Sequence, residues 1–375
     1  MMPVRTALYV HLPFCPYICP YCDFAKWSYD APAAARYLAA LEAEIGAAPA
    51  LAGTTLFFGG GTPNTYEPAV LAALVRRLRE RFVLGTDAEI TLEINPDPGL
   101  CTGLETWRAA GINRLSIGVQ SFVADELRVL GRRHAPADVA EVVRRARAAG
   151  FANISIDLMF GVPGQTEASW RQSLDAALAL DVQHLSTYGL TIEEGTPYAR
   201  WFAREPVAFA DDTREADLYA LAIATLGGAG YEHYEISNFA RPGFRCAHNE
   251  NYWRNGAYLG LGVGAASYRD GVRSVHTRER ETYIAAALAG EPIPGESETL
   301  AGDQRVGEAI MLALRTREGV DTGAFRERYG VDVRVRYRSA IERMEADGLL
   351  QSGTAFVRLT ERGRFVANDV CAAFL

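Results

Sequence analysis

The chain has 375 residues, 49% of them apolar and 22% charged, the composition of an ordinary globular protein of two or three domains, or of one large barrel with an appendage. Its 38 Lys and Arg against 46 Asp and Glu give a net charge of −8, which excludes a general nucleic-acid binder, because neutralising phosphates takes basic surface. No stretch reaches the ~20 apolar residues of a transmembrane helix, and MMPVRTALYVHLPF lacks a full apolar signal region and an A-x-A cleavage site, so a cytoplasmic location is expected.

In chain order, short apolar runs bounded by Gly, Pro or Asn predict strands at Ala7–Val10, Thr55–Phe58, Ala88–Glu93, Arg114–Gly118, Asn153–Leu158 and His184–Leu190. Between them, Ala31–Ala47, Pro68–Phe82, Ala137–Ala149 and Glu167–Ala179 carry apolar residues at helical spacing, the last opening after Thr166 as N-cap. This alternation predicts an α/β fold with a parallel sheet, six units curled into a closed or partly open barrel. Residues 190–290 are less regular and rich in Tyr, Asn, Arg and Gly, and Pro292, Pro294 and Gly295 mark a boundary. Beyond it, Gly302–Leu314, Thr322–Tyr329 and Val333–Asp347 read as helices, the third capped by Asp332, and GLLQSGTAFVRLTERG reads as a β-hairpin with a last helix. The expected division is a barrel with an irregular extension over 1–295 and a small winged-helix-like α+β domain over 296–375.

Active sites of parallel barrels lie at the C-terminal ends of the strands, and the polar motifs fall there. Cys15, Cys19 and Cys22 follow the first strand with spacing C-x3-C-x2-C. In a cytosolic chain such a cluster reads as a metal site rather than as disulfides. Three thiolates on a cubane leave one iron without a protein ligand, open to a small molecule. The alternative is a structural zinc knuckle, with His11 or Asp23 as fourth ligand. Gly59-Gly60-Gly61-Thr62 follows the second strand, where glycines let a ligand approach the backbone. The other reading is a tight turn. Glu93, Gln120, Arg132 and Asp157 suit a zwitterionic nucleoside, and each is also explained by barrel-mouth hydrogen bonds or surface ion pairs.

The blocks YVHLPFCPYICPYCDF, FFGGGTPN, EITLEINPD, LSIGVQSF, LGRRH, ISIDLMFGVPGQT, YGLTIEEGTP, YEISNFARPG, HNENYW and YLGLGVGAAS occur in that order. Together they resemble the radical S-adenosylmethionine (SAM) subfamily of oxygen-independent coproporphyrinogen III oxidases, and within it the heme chaperone branch, HemW. The resemblance covers essentially the whole chain. It implies a partial (β/α)6 radical SAM barrel, with a [4Fe–4S] cluster on Cys15, Cys19 and Cys22. It implies SAM contacts at Tyr9, Gly60, Gly61, Thr62, Glu93, Gln120, Arg132 and Asp157, with Gly189 and Ala266 as further positions. It also implies heme as bound cargo, a membrane-bound hemoprotein as recipient, peripheral membrane association through that partner, and a homodimer. Coproporphyrinogen III decarboxylation, or a related methyl transfer, is the alternative activity. Two departures weigh against the decarboxylase: Phe24 stands where that branch has a further Cys, and 14 residues precede Cys15 where it has a longer segment. His248, in the H-N-x-x-Y block, is a candidate axial heme ligand or an ordering hydrogen-bond group. Cys246 reads as a second contact for heme iron or as a small buried residue.

Overall fold

The computed structural model describes residues 5–375. Six parallel strands form its centre: β1 (Arg5–Leu12), β2 (Ala52–Gly60), β3 (Val83–Ile94), β4 (Arg114–Gln120), β5 (Asn153–Phe160) and β6 (His184–Gly189). They pair in chain order, each parallel to the next, with helices in the connections. Helix Glu167–Ala179 begins where Thr166 accepts from the Ser169 N–H, the cap that the sequence predicts.

The six strands alternate their side chains in a way that positions everything else. Ile90, Leu92, Leu115, Ile117, Ile154, Ile156, Leu158 and Leu185 face the helices and are fully buried. Their neighbours Glu93, Arg114, Ser116, Gln120, Asp157 and Ser186 turn to the barrel axis and line a cavity. Period-two alternation puts successive residues on opposite faces. Barrels of this kind usually fill the axis with branched apolar residues; here the axis is polar and open.

The barrel stays unclosed. The free edge of β1 pairs with Tyr258–Leu261 and that of β6 with Asn238–Ala240, so the two ends never meet. Tyr258–Leu261 runs parallel to β1, and antiparallel strands beyond it and beyond β6 extend the sheet to twelve among the described residues. The stretch 190–290 is therefore more regular than its sequence predicts. It contains helices Pro197–Arg204 and Asp212–Gly228 and five strands of three to five residues, too short and too rich in Gly and polar residues to show a period. Strand Gly295–Thr299 also belongs to the main sheet, paired with Val272–His276.

A second apolar cluster runs from Val306 to Phe374. Helices Gly302–Leu314 and Thr322–Tyr329 end where the sequence places them. The third predicted helix breaks at Tyr337 into Val333–Arg336 and Arg338–Ala346, and the last breaks at Val366 into Glu361–Phe365 and Ala367–Ala372. Strands Leu350–Ser352 and Phe356–Leu359 form the expected hairpin, joined by Val320–Asp321. This unit grips the barrel's helix Ala247–Trp253. Arg328 donates to the carbonyls of Arg254 and Asn255, and the Arg315 guanidinium lies 4.9 Å from the Trp253 ring. No helix among the described residues is long and apolar enough to cross a membrane.

Candidate functional site

All three cysteines of the loop after β1 are free and line one cavity of about 650 Å³, within the range of sites for small molecules. The loop is propped from two sides. Trp27 N–H donates to Pro13 O and Tyr29 N–H to Cys15 O, tying its return to its start. Beneath it, Tyr198 N–H donates to Pro20 O, and Tyr198 packs with Leu130, Met159 and Phe209 in a small apolar cluster that Tyr21 joins.

The glycine turn after β2 lies hard against the same loop. Gly60 has φ +105°, and a Cβ there would stand 2.4 Å from the His11 ring. A Cβ on Gly61 would stand 2.6 Å from the Pro13 backbone. Instead, Gly61 N–H donates to Leu12 O and Thr62 N–H to Phe14 O. Close approach of two backbones requires glycine here.

Deeper in, Glu93 and Asp157 face each other inside the barrel. Burial, then the charge of Asp157, pushes the Glu93 carboxyl up to about 8, against the Gly60 N–H and Arg114. Burial also raises Asp157, opposed by hydrogen bonds from Ser186 and Ser116 and by Arg114 and Arg132. Ser116 Oγ lies 3.3 Å from Asp157 Oδ1. Near neutral pH, Glu93 can therefore donate as well as accept a hydrogen bond.

Arg132 reaches across the mouth. Its Nη2 donates to Asn95 Oδ1 at 2.7 Å and to Gly118 O, and its Nη1 lies 3.7 Å from Cys19 Sγ. Gln120 adopts φ +70°, rare for a residue with a Cβ, and its Oε1 accepts from Tyr188 at 3.0 Å. Tyr9 sits beside Glu93 at the cavity wall, its hydroxyl 3.2 Å from His11 Nδ1. Gly189 also lines the cavity.

Tyr9, Gly60, Gly61, Thr62, Glu93, Gln120, Arg132, Asp157 and Gly189 thus share one chamber with the cysteines. Ala266 does not. It lies on strand Ala266–Arg269, between Tyr258–Leu261 and Val272–His276 and opposite Val275, with its carbonyl backed against Gly260. Four participants have no place in the sequence reading: Asn95, which orients Arg132; Tyr188, which orients Gln120; and Arg114 with Ser186, which support Asp157. Asn95 and Tyr188 sit inside the blocks EITLEINPD and YGLTIEEGTP, so a strand-end polar residue was the available signal.

His248 is buried at the inner end of the cavity. Its Nδ1 meets Thr55 Oγ1 at 2.8 Å and its Nε2 meets Tyr252 Oη at 2.9 Å, while burial lowers its pKa to about 3. Both ring nitrogens are taken, which favours the ordering role over axial ligation. Cys246 is fully buried with Sγ 3.6 Å from Glu89 Oε1, as expected of a small buried residue. Glu89 also accepts the N–H groups of Ala247 and His248, capping that helix.

The donor set fits an iron–sulfur cluster. Three free thiols open to one chamber, where burial pushes the Cys15 thiol up to about 11 and raises Cys22, with the Lys26 ammonium opposing the rise at both; iron bound there would take all three as thiolates. The zinc alternative finds little support: His11 Nε2 is held by Ala25 O at 2.7 Å, Asp23 pairs with Arg278, and no three His, Cys, Asp or Glu among the described residues are arranged around a single ion.

The chain is similar to known proteins along nearly its whole length. Residues 9–177 match the radical SAM superfamily and residues 300–366 the HemN C-terminal domain. The heme chaperone HemW of Bacillus subtilis is 36% identical over 373 residues, covering 98% of each chain. That of Escherichia coli is 32% identical, again covering 98% of each chain. Coproporphyrinogen III oxidase (HemN) of Escherichia coli, a radical SAM enzyme, superposes with a TM-score of 0.86 at 25% identity, over 99% of this chain and 90% of the other. The chain belongs to the heme chaperone HemW family of radical SAM proteins.

Proposed function

We propose that this protein is a heme chaperone that carries a [4Fe–4S] cluster on Cys15, Cys19 and Cys22, holds SAM beside it, and passes bound heme to a hemoprotein. The observation that carries the reading is the single chamber shared by three free cysteines and the ring of Glu93, Gln120, Arg132 and Asp157. A cluster with one open iron supplies a site for SAM's amino and carboxylate groups and a source of single electrons.

The chain's own residues do the rest. The Gly60–Thr62 turn leaves backbone room beside the cysteine loop. Glu93 and Asp157 accept hydroxyl or ammonium hydrogens, and a cation bound there returns Glu93 to its carboxylate form. Arg132 offers a fixed positive charge for a carboxylate. The recipient on this reading is a membrane-bound hemoprotein, reached by a cytoplasmic chaperone that works as a homodimer at the membrane surface. The HemN-like unit from about residue 300 docks the partner or covers the barrel.

A second reading, coproporphyrinogen III decarboxylation, is favoured by the likeness to the oxidase. Phe24 opposes it: the side chain is exposed at the cavity mouth where that branch has a Cys. Anaerobic reconstitution separates the two. Heme is offered in one sample, coproporphyrinogen III with SAM and a reductant in another. Stoichiometric heme binding without porphyrinogen turnover is expected. Protoporphyrinogen formation over many turnovers would replace the chaperone reading, and protein that takes up zinc but no iron would remove both.

A further inference from the structure

The three cysteine sulfurs have different surroundings. Cys15 Sγ meets the Thr62 hydroxyl and Cys22 Sγ the backbone N–H of Phe24, with the Lys26 ammonium acting on both through space. Cys19 Sγ faces a full positive charge, Arg132 Nη1 at 3.7 Å, together with the Tyr21 hydroxyl. Arg132 cannot easily swing away. Its other terminal nitrogen is held by Asn95 and Gly118, and Asn95 is itself held by Asn64, which accepts its N–H at 3.0 Å. The turn carrying Arg132 also sits on the cysteine loop, since a Cβ on Gly131 would stand 2.7 Å from the Pro20 ring.

Resting on the cluster reading above, we propose that Arg132, assisted by Tyr21, tunes the cluster's reduction potential upward through the Cys19 sulfur. Reduction adds one electron from an external reductant, with no bond made or broken, and the added charge spreads over the thiolate sulfurs. Hydrogen-bond donors and positive charge at a ligand sulfur stabilise the more negative state. Arg132 is then a positioning residue for the cluster's electronics, separate from any contact with SAM.

The test is a redox titration of the reconstituted full-length protein, without SAM, followed by the electron paramagnetic resonance of the reduced cluster. Arg132→Gln and Tyr21→Phe are compared with wild type at matched iron and sulfide content. The midpoint should move to more negative potential in both, further in Arg132→Gln, with Arg132→Lys between it and wild type. A wild-type midpoint in Arg132→Gln at full iron content would overturn the proposal. If Arg132→Gln holds no iron, Tyr21→Phe decides, and an unmoved midpoint there overturns it equally. Wild-type protein that binds no iron would instead refute the cluster reading and this inference with it.

Discussion

Tyr188 donates its hydroxyl to Oε1 of Gln120 at 3.0 Å. That bond fixes the amide, so its Nε2 is the donor left for a ligand, beside the space that Gly118 leaves open. Removing the hydroxyl frees the amide to rotate. Tyr188→Phe should weaken SAM binding about fivefold, corresponding to ~1 kcal/mol for one oriented hydrogen bond. Calorimetry on the reconstituted protein measures it. Gln120→Glu, which offers acceptors only, should weaken binding more, and unchanged affinity in both variants would remove Gln120 from the SAM site.

The glycine turn makes a contrasting pair of stability predictions. Gly60→Ala forces a Cβ into the His11 ring at a positive φ, and should cost on the order of 2–4 kcal/mol through overpacking and backbone strain. Gly85→Ala, with nothing near its Cβ, should leave the melting temperature close to wild type. Equal melting temperatures for the two variants would contradict the packing described.

Acid should remove the stability that depends on the buried histidines staying neutral. Burial lowers His11 and His233 to about 4 and His134 and His248 to about 3, against 6.5 for a free side chain. Each folded pKa is depressed, so the unfolded chain binds more protons as pH falls below 6.5. The histidines' contribution is therefore full above that pH and is lost as pH drops from 6.5 toward 3, while Glu93, held up at about 8, opposes it by one proton between pH 8 and 4.5. Each histidine adds up to ~1.4 kcal/mol per pH unit in that window. Urea titrations between pH 7 and 5 should show a loss larger than a single proton can explain.

His248 separates structure from ligation. Its ring bridges Thr55 on β2 and Tyr252 on the helix. His248→Ala strands both hydroxyls in a buried place and should cost about 2–4 kcal/mol, seen as a lower denaturation midpoint. Heme affinity should survive His248→Gln. Loss of the heme spectrum in a folded His248→Gln protein would instead establish axial ligation by this imidazole.

Much of this site was legible because a parallel barrel fixes where strand ends point. Glu93, Gln120 and Asp157 occupy the same end of adjacent strands, so short sequence blocks convey three-dimensional neighbourhood. Asn95 and Tyr188 were harder to find because they act on other side chains, and orientation of an amide or a guanidinium leaves no trace in spacing. The edge strands after Tyr231 were missed for another reason. Strands of three to five residues, such as Asn238–Ala240, gain their order from pairing with distant strands rather than from a local pattern. The kink at Tyr337 likewise reflects packing around the second apolar cluster, where neither Pro nor Gly announces a break.

The grip of Arg328 on Arg254 O and Asn255 O has a thermodynamic consequence. Those carbonyls follow the end of the helix whose His248 and Tyr252 wall the cavity, so the C-terminal unit supplies the donors that the helix terminus lacks on its own. The two bodies should therefore melt in one cooperative transition. A chain cut near residue 300 would lose more than a domain: the cavity's inner wall would fray from a helix end some distance from the cysteines.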